Sequence, residues 1–131
     1  MSEDMSDDIQ LTTNFRLSEF YCPCCGKAKI STALPRLLQQ IRDEVGEPLT
    51  ISSGYRCAKH NAEVGGVPNS DHTKGLAVDI PISESALRYR LVRAIMLADT
   101  PYVRIYPGHV HISCVPAKIH RFDIQEAKCR L

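Results

Sequence analysis

Between residues 32 and 45 the apolar side chains return every third or fourth position, at Leu34, Leu37, Leu38, Ile41 and Val45. That step matches the turn of an α-helix and predicts an amphipathic one, stopped by Gly46 with Pro48 just beyond. A second helix is expected to open at Ser83-Glu84-Ser85 and run to Ala98, with Leu87, Leu91, Ile95 and also Met96 as candidates for its apolar side. Short β-branched or apolar runs predict strands at 49–52, at 76–80 (ended by Pro81), at 102–106 and at 110–113, with Pro107-Gly108 as the turn between the last two. Single helical turns are expected near 17–20, with Ser18 as cap, and near 58–64. The stretch 54–70 is rich in Gly, Asn and Pro and reads mostly as loop, and the polar tail after Pro116 is assigned no element. The tight Pro-Gly connection favours an antiparallel sheet, so the fold class is α+β: a single domain with a small antiparallel sheet flanked by helices. Its boundaries are placed at 15–131, with 1–14 a solvated, disordered arm.

Composition narrows the function classes. A chain of 131 residues fits one domain, and a net charge of +1 with no Lys/Arg-rich run gives no pull toward nucleic acid or an anionic membrane. Neither a nucleic-acid partner nor membrane insertion is therefore expected. Residues 1–10 carry Glu3, Asp4, Asp7 and Asp8 and no apolar run, unlike a secretory signal. The chain is expected to be made in a cytoplasm without a signal peptide, so that any action at a cell wall needs delivery by something else. Three of the six cysteines crowd into Cys22-Pro-Cys24-Cys25-Gly26, with Cys57, Cys114 and Cys129 scattered later. Cys22, Cys24 and Cys25 are candidates for a second, structural zinc site, although two paired CxxC motifs are not present; pairing with Cys57 and free thiols are the other readings.

The chemistry-bearing residues are few. His109 and His111 sit two apart on a predicted strand and so share one face of the sheet. His72 lies in the polar loop and Asp79 on the strand seven residues later. Two imidazoles and one carboxylate, with a fourth position left for water, make the donor set of a catalytic zinc. Spacing alone leaves the other readings open: a surface or capping histidine, and a solvated aspartate at a strand end.

A longer match bears on that choice. Ser70-Asp71-His72-Thr73-Lys74-Gly75-Leu76-Ala77-Val78-Asp79 fits in full the S-x-H-x-x-G-x-A-x-D motif, a coincidence on the order of one in ten thousand at average residue usage. Ser53-Gly54-Tyr55-Arg56 followed by His60-Asn61, the strand Val110-His111-Ile112, and the Phe15-x-Leu17-Ser18-Glu19-Phe20 start fall in the same order. Over roughly residues 15–115 the chain thus resembles the D-alanyl-D-alanine carboxypeptidase-like zinc peptidases, which include phage peptidoglycan endopeptidases and share the fold of the hedgehog signalling domain.

The resemblance implies His72, Asp79 and His111 as zinc ligands. It implies Arg56 as an oxyanion- and substrate-binding catalytic residue; Ser70 and Tyr106 are further substrate-binding candidates, with Tyr55, Tyr102 and Tyr106 read as lining a cleft and core packing as the other role for at least one of them. It departs from the family at two points. Many relatives carry a general-base Glu three residues before the last ligand, where this chain has Gly108. His109 fits the form in which a second histidine does acid/base work, or else only lines the cleft. Ser113 stands where relatives often have Asp. Gly65, Gly66 and Gly75 are read as backbone requirements, Asn61 as a loop tie, and His60 and His120 as non-ligands.

The function implied is a zinc-dependent peptidase of peptidoglycan stem peptides, of D-Ala-D-Ala carboxypeptidase or endopeptidase type. A phage-encoded wall hydrolase fits best, carried on the phage particle or let through the membrane by a holin-type partner, and acting at the bacterial wall after release or as a virion component. The alternative is a non-catalytic zinc-binding or virion structural module of the same fold.

Overall fold

The computed structural model describes residues 8–115 and the backbone of 122–124. Helix α1, Ala33–Val45, buries Leu34, Pro35, Leu37, Leu38, Ile41 and Val45 along one stripe, and Gly46 ends it in the left-handed region at φ 77°, its N–H reaching Arg42 O. A one-turn helix, α2, follows at Ala58–Glu63. Helix α3, Ser85–Leu97, starts where the Glu84 carboxylate accepts the N–H of Leu87, and it buries Leu91, Ala94 and Ile95. Met96 does not join them: one residue past Ile95 is a rotation of about 100° around the helix, and the side chain is 63% exposed.

The strands are β1 Ala77–Pro81, β2 Tyr102–Ile105, β3 His109–Ser113 and β4 Phe122–Ile124, in sheet order β1-β3-β2-β4. The central β3 runs antiparallel to both neighbours, while β4 adds a short parallel edge to β2. A three-residue strand shows too little alternation to be read from sequence, which is why the tail carried no predicted element. The expected strand at 49–52 does not form. The chain touches β1 only at Ser53, through Asp79 N–H to Ser53 O (2.8 Å) and Ser52 N–H to Asp79 O (3.0 Å). It then leaves because Gly54 is pressed against the Phe20 backbone, so closely that a Cβ there would sit 2.8 Å from Phe20 Cα.

Residues 8–14 are docked on the domain. The Asp8 carboxylate accepts from the Ser18 N–H (3.0 Å) and Arg16 Nε (2.9 Å), Gln10 bridges to Arg16, and Leu11 packs on the core. Ser18 is therefore not the cap of the first 3₁₀ turn, Leu17–Phe20; Glu19 caps it by reaching back to the Arg16 N–H at 2.8 Å. Residues 1–7 of the expected arm lie outside the described residues. Among the described residues no helix is long and apolar enough to cross a membrane.

The period-two alternation of the sheet separates two jobs. Val78, Ile80, Val103, Val110 and Ile112 face the core with α1, α3, Phe15 and Phe20. Asp79, Arg104, His109 and His111 emerge on the other face, where a cleft opens. Arg88 of α3 pins the β2–β3 turn by donating to Ile82 O (2.9 Å), Tyr106 O (3.0 Å) and Pro107 O.

Gly75 marks the tightest backbone approach. It lies at φ 71°, and a Cβ there would fall 1.8 Å from Lys29 O, whereas one at Gly108 would meet nothing within 4 Å. Gly75→Ala should therefore cost about 2–4 kcal/mol in urea unfolding, and Gly108→Ala should stay within about 0.5 kcal/mol of the parent.

Candidate metal centre

The site is assembled by one strand register and one turn. In the β1–β3 ladder Asp79 lies directly opposite His111, and their Oδ1 and Nδ1 atoms stand 3.1 Å apart. His72 comes from the second 3₁₀ turn, Asp71–Lys74, which Ser70 caps by accepting the His72 N–H at 3.2 Å and which Gly75 closes in the left-handed region. Ser113, the residue standing in place of the family's aspartate, donates its hydroxyl to Asp71 Oδ2 at 2.8 Å and so ties this turn to β3.

The buried His72 ring is oriented by the backbone. Its Nδ1 lies 2.8 Å from Gly54 O, a carbonyl that only accepts, so Nδ1 carries the proton and Nε2 presents a lone pair. That lone pair points at Asp79 Oδ1, 3.2 Å away. Two acceptors facing each other in a buried place repel unless a cation or a proton lies between them. The donor atoms of His72, Asp79 and His111 all fall within 4.8 Å of one another. Ligands held tetrahedrally at about 2.0–2.2 Å from zinc would be about 3.3–3.6 Å apart, a little wider than the two contacts observed with Asp79. The three residues fit zinc in chemistry and in spacing.

The other carboxylate oxygen, Asp79 Oδ2, accepts from Arg56 Nη2 at 3.2 Å. Arg56 is itself held by Ser53 Oγ (3.0 Å) and Asn61 Oδ1 (3.1 Å), and Asn61 donates to Val67 O (2.9 Å), which is the loop tie expected of it. Gly66 makes room for this network, since a Cβ there would lie 2.0 Å from Asn61 Oδ1. Burial pushes the Asp79 carboxyl up, but where protons rather than a cation lie between it and the two rings, the hydrogen bonds and charge of His111 and His72 outweigh burial and hold the group well below the usual carboxylate range.

A cleft of about 500 Å³ opens over these ligands. His109 shares the sheet face of His111, as strand geometry requires, with Nε2 4.0 Å from Asp79 Oδ2. Its ring stacks on Tyr106 at 4.3 Å and 12° between planes. Arg56, Ser70 and Tyr106 line the cleft, and Ser70 also serves as the cap of the His72 turn. Sequence reasoning passed over Gly54, Asp71, Arg88 and Arg104. Arg104 was accessible to it, because residues 102, 104 and 106 alternate onto the face shared with His111, and its guanidinium lies 5.5 Å over the Tyr106 ring.

The cysteines group differently from expectation. Cys22, Cys25 and Cys57, rather than Cys22, Cys24 and Cys25, bring their sulfurs within 4.8 Å of one another. Residues three apart in a tight turn can converge, as Cys22 and Cys25 do here. Burial pushes the Cys22 thiol up, but backbone N–H groups of Cys57, Cys25 and Cys24 aimed at its sulfur prevail and bring it down to about 7. Cys129 and His120 lie outside the described residues.

An α+β domain with two histidines and an aspartate converging at the floor of an open cleft has the architecture of a small zinc hydrolase. The Peptidase M15 family model matches residues 13–113, and the chain belongs to that family of zinc peptidases within the D-Ala-D-Ala carboxypeptidase-like superfamily. No curated protein matches it.

Asp79→Asn should lower zinc affinity at least about a hundredfold, read by competition with a chromophoric chelator. The low Asp79 pKa also has a stability consequence in chelated protein. Its contribution is fully present above the ordinary carboxylate value of 3.8 and is lost as pH falls below it toward the folded value. Melting temperatures of chelated protein should therefore fall on acidification below about pH 4, and less steeply in Asp79→Asn.

Proposed function

We propose that this chain hydrolyses peptidoglycan stem peptides, removing a terminal D-Ala or cutting within the peptide, and that it is a phage-encoded wall hydrolase. The observation that carries the reading is the placement of Arg56 and His109 beside Asp79 Oδ2, both lining the cleft that covers His72, Asp79 and His111. Bound zinc supplies a Lewis acid that polarises the scissile carbonyl and acidifies water.

The chain's own residues do the rest. The Arg56 fork, fixed by Ser53 and Asn61, is oriented to hold a carboxylate or carbonyl oxygen of the peptide and to stabilise the negative charge that develops there. His109 Nε2 accepts a proton from the attacking water and returns it to the leaving amine, with the Tyr106 stack setting the plane of the ring. Ser70 and Tyr106 meet the peptide along the walls, and Val64 and Val67 offer apolar surface suited to small alanine methyl groups. His109 does this in place of a carboxylate, since residue 108 is glycine. Delivery to the wall falls to the phage particle or to a holin-type partner.

The second reading, a zinc-binding or virion structural module without catalysis, is favoured by that same Gly108.

The test is incubation with peptidoglycan and with a stem peptide ending in D-Ala-D-Ala, read by mass spectrometry with and without chelator. Cleavage is expected, it should vanish with chelator and in His72→Ala, and the product masses name the bond. Intact substrate from protein shown to hold zinc would replace this reading with the non-catalytic one. His109→Ala should retain zinc and lower kcat by about 10²–10⁴-fold, whereas an unchanged kcat would reduce His109 to a wall of the cleft.

A further inference from the structure

The cysteine cluster lies apart from the peptidase site, and no step above uses it. Its parts come from two segments distant in sequence. Cys22 follows the first 3₁₀ turn and begins a tight loop, in which Gly26 N–H bonds Cys22 O at 2.7 Å and Cys22 N–H bonds Lys27 O at 2.7 Å, with Gly26 left-handed at φ 71°. This loop brings Cys25 back over Cys22, the geometry of a C-x-x-C knuckle. Cys57 is the cap of α2, and its sulfur accepts the His60 N–H at 3.5 Å.

The two segments meet sulfur to sulfur. Cys22 Sγ and Cys57 Sγ stand 3.7 Å apart, and the Cys57 N–H points at Cys22 Sγ from 3.4 Å. Two thiolates on one tetrahedral zinc, each at about 2.3 Å, are separated by about 3.8 Å. Backbone N–H groups directed at a sulfur stabilise its thiolate, the form that binds metal. Cys22 is buried, Cys57 is half-buried and Cys25 is exposed, so the cluster is walled on one side and open to an entering ion on the other. Cys24 is exposed and stands outside the group of three sulfurs.

We infer that Cys22, Cys25 and Cys57 hold a second, structural zinc ion that fastens the 22–27 loop to the start of α2. Three soft thiolates select zinc over hard cations such as magnesium or calcium. The ion closes the chain between residues 22 and 57, and it sits one residue from Arg56, so it steadies the segment from which that guanidinium reaches Asp79. The inference goes beyond the peptidase reading and does not depend on it.

The test counts metal in full-length protein purified under reductant and dialysed against trace zinc. Two zinc ions per chain are expected in the parent, one in His72→Ala and one in Cys25→Ser. Cobalt substitution reports sulfur ligation in the parent itself, and the variants then assign it. The sulfur-to-cobalt charge-transfer band in the near ultraviolet should appear in the parent, persist in His72→Ala and disappear in Cys25→Ser and Cys57→Ser. The melting temperature of Cys57→Ser should fall by several degrees at unchanged zinc content of the histidine site. One zinc per parent chain with no sulfur–cobalt band overturns the inference. So does a parent chain lighter by two hydrogens with Cys22 and Cys57 found joined in one peptide pair.

Discussion

Asp79 has two carboxylate oxygens and four groups that need them. Oδ1 faces His72 and His111, and Oδ2 takes Arg56 while His109 stands just beyond it. A buried carboxylate in this position is stable only while cationic or hydrogen-bonding partners surround it. The four partners come from three parts of the chain: a 3₁₀ turn, the strand β3, and the loop before α2. The carboxylate is therefore the point on which these elements converge. Its charge sets the spacing of the ligands, and its burial keeps water from dissolving the arrangement.

Holding those elements at the right distance is largely the work of backbone contacts where no side chain fits. Gly54 lies against Phe20 and turns its carbonyl to the His72 ring, Gly66 clears space for the Arg56–Asn61 pair, and Gly75 passes beside Lys29. These approaches explain why glycines fall at fixed places in the S-G-Y-R and S-x-H-x-x-G segments. At Gly54 and Gly66 the missing Cβ leaves room beside a polar contact of the site, and at Gly75 it lets the His72 turn pass against the Lys29 backbone. The core supports this from below, since Val78 and Ile80 on β1 and Val110 and Ile112 on β3 lock the register that sets Asp79 opposite His111.

The two departures from the family pattern have different structural meanings. Ser113 replaces a carboxylate but keeps a hydrogen bond, to Asp71, so the turn carrying His72 stays tied to the sheet. Gly108 replaces a carboxylate with nothing, at a turn where a side chain would have open space. That leaves His109, stacked on Tyr106 and near the Asp79 carboxylate, as the titratable group on this side of the cleft. The position of its ring then depends on the stack and on the Arg88 clamp that holds the β2–β3 turn.

The sequence by itself determined the two long helices, the three main strands, the α+β class, the zinc peptidase family and the candidate trio His72, Asp79 and His111 that the fold brings together. These rest on local periodicity and on short motifs whose residues act where they stand in the chain. The shared face of His109 and His111 was legible for the same reason, since strand alternation is a local rule. The tertiary structure decided what depends on contacts between distant segments. It removed the strand at 49–52, because Gly54 is drawn onto Phe20, and it docked residues 8–14 through Asp8. It also chose Gly54 as the carbonyl that fixes the His72 tautomer, and it set Cys57 rather than Cys24 beside Cys22 and Cys25. None of these pairings leaves a period or a spacing in the chain, because each joins residues ten to more than thirty positions apart that meet only once the core has closed.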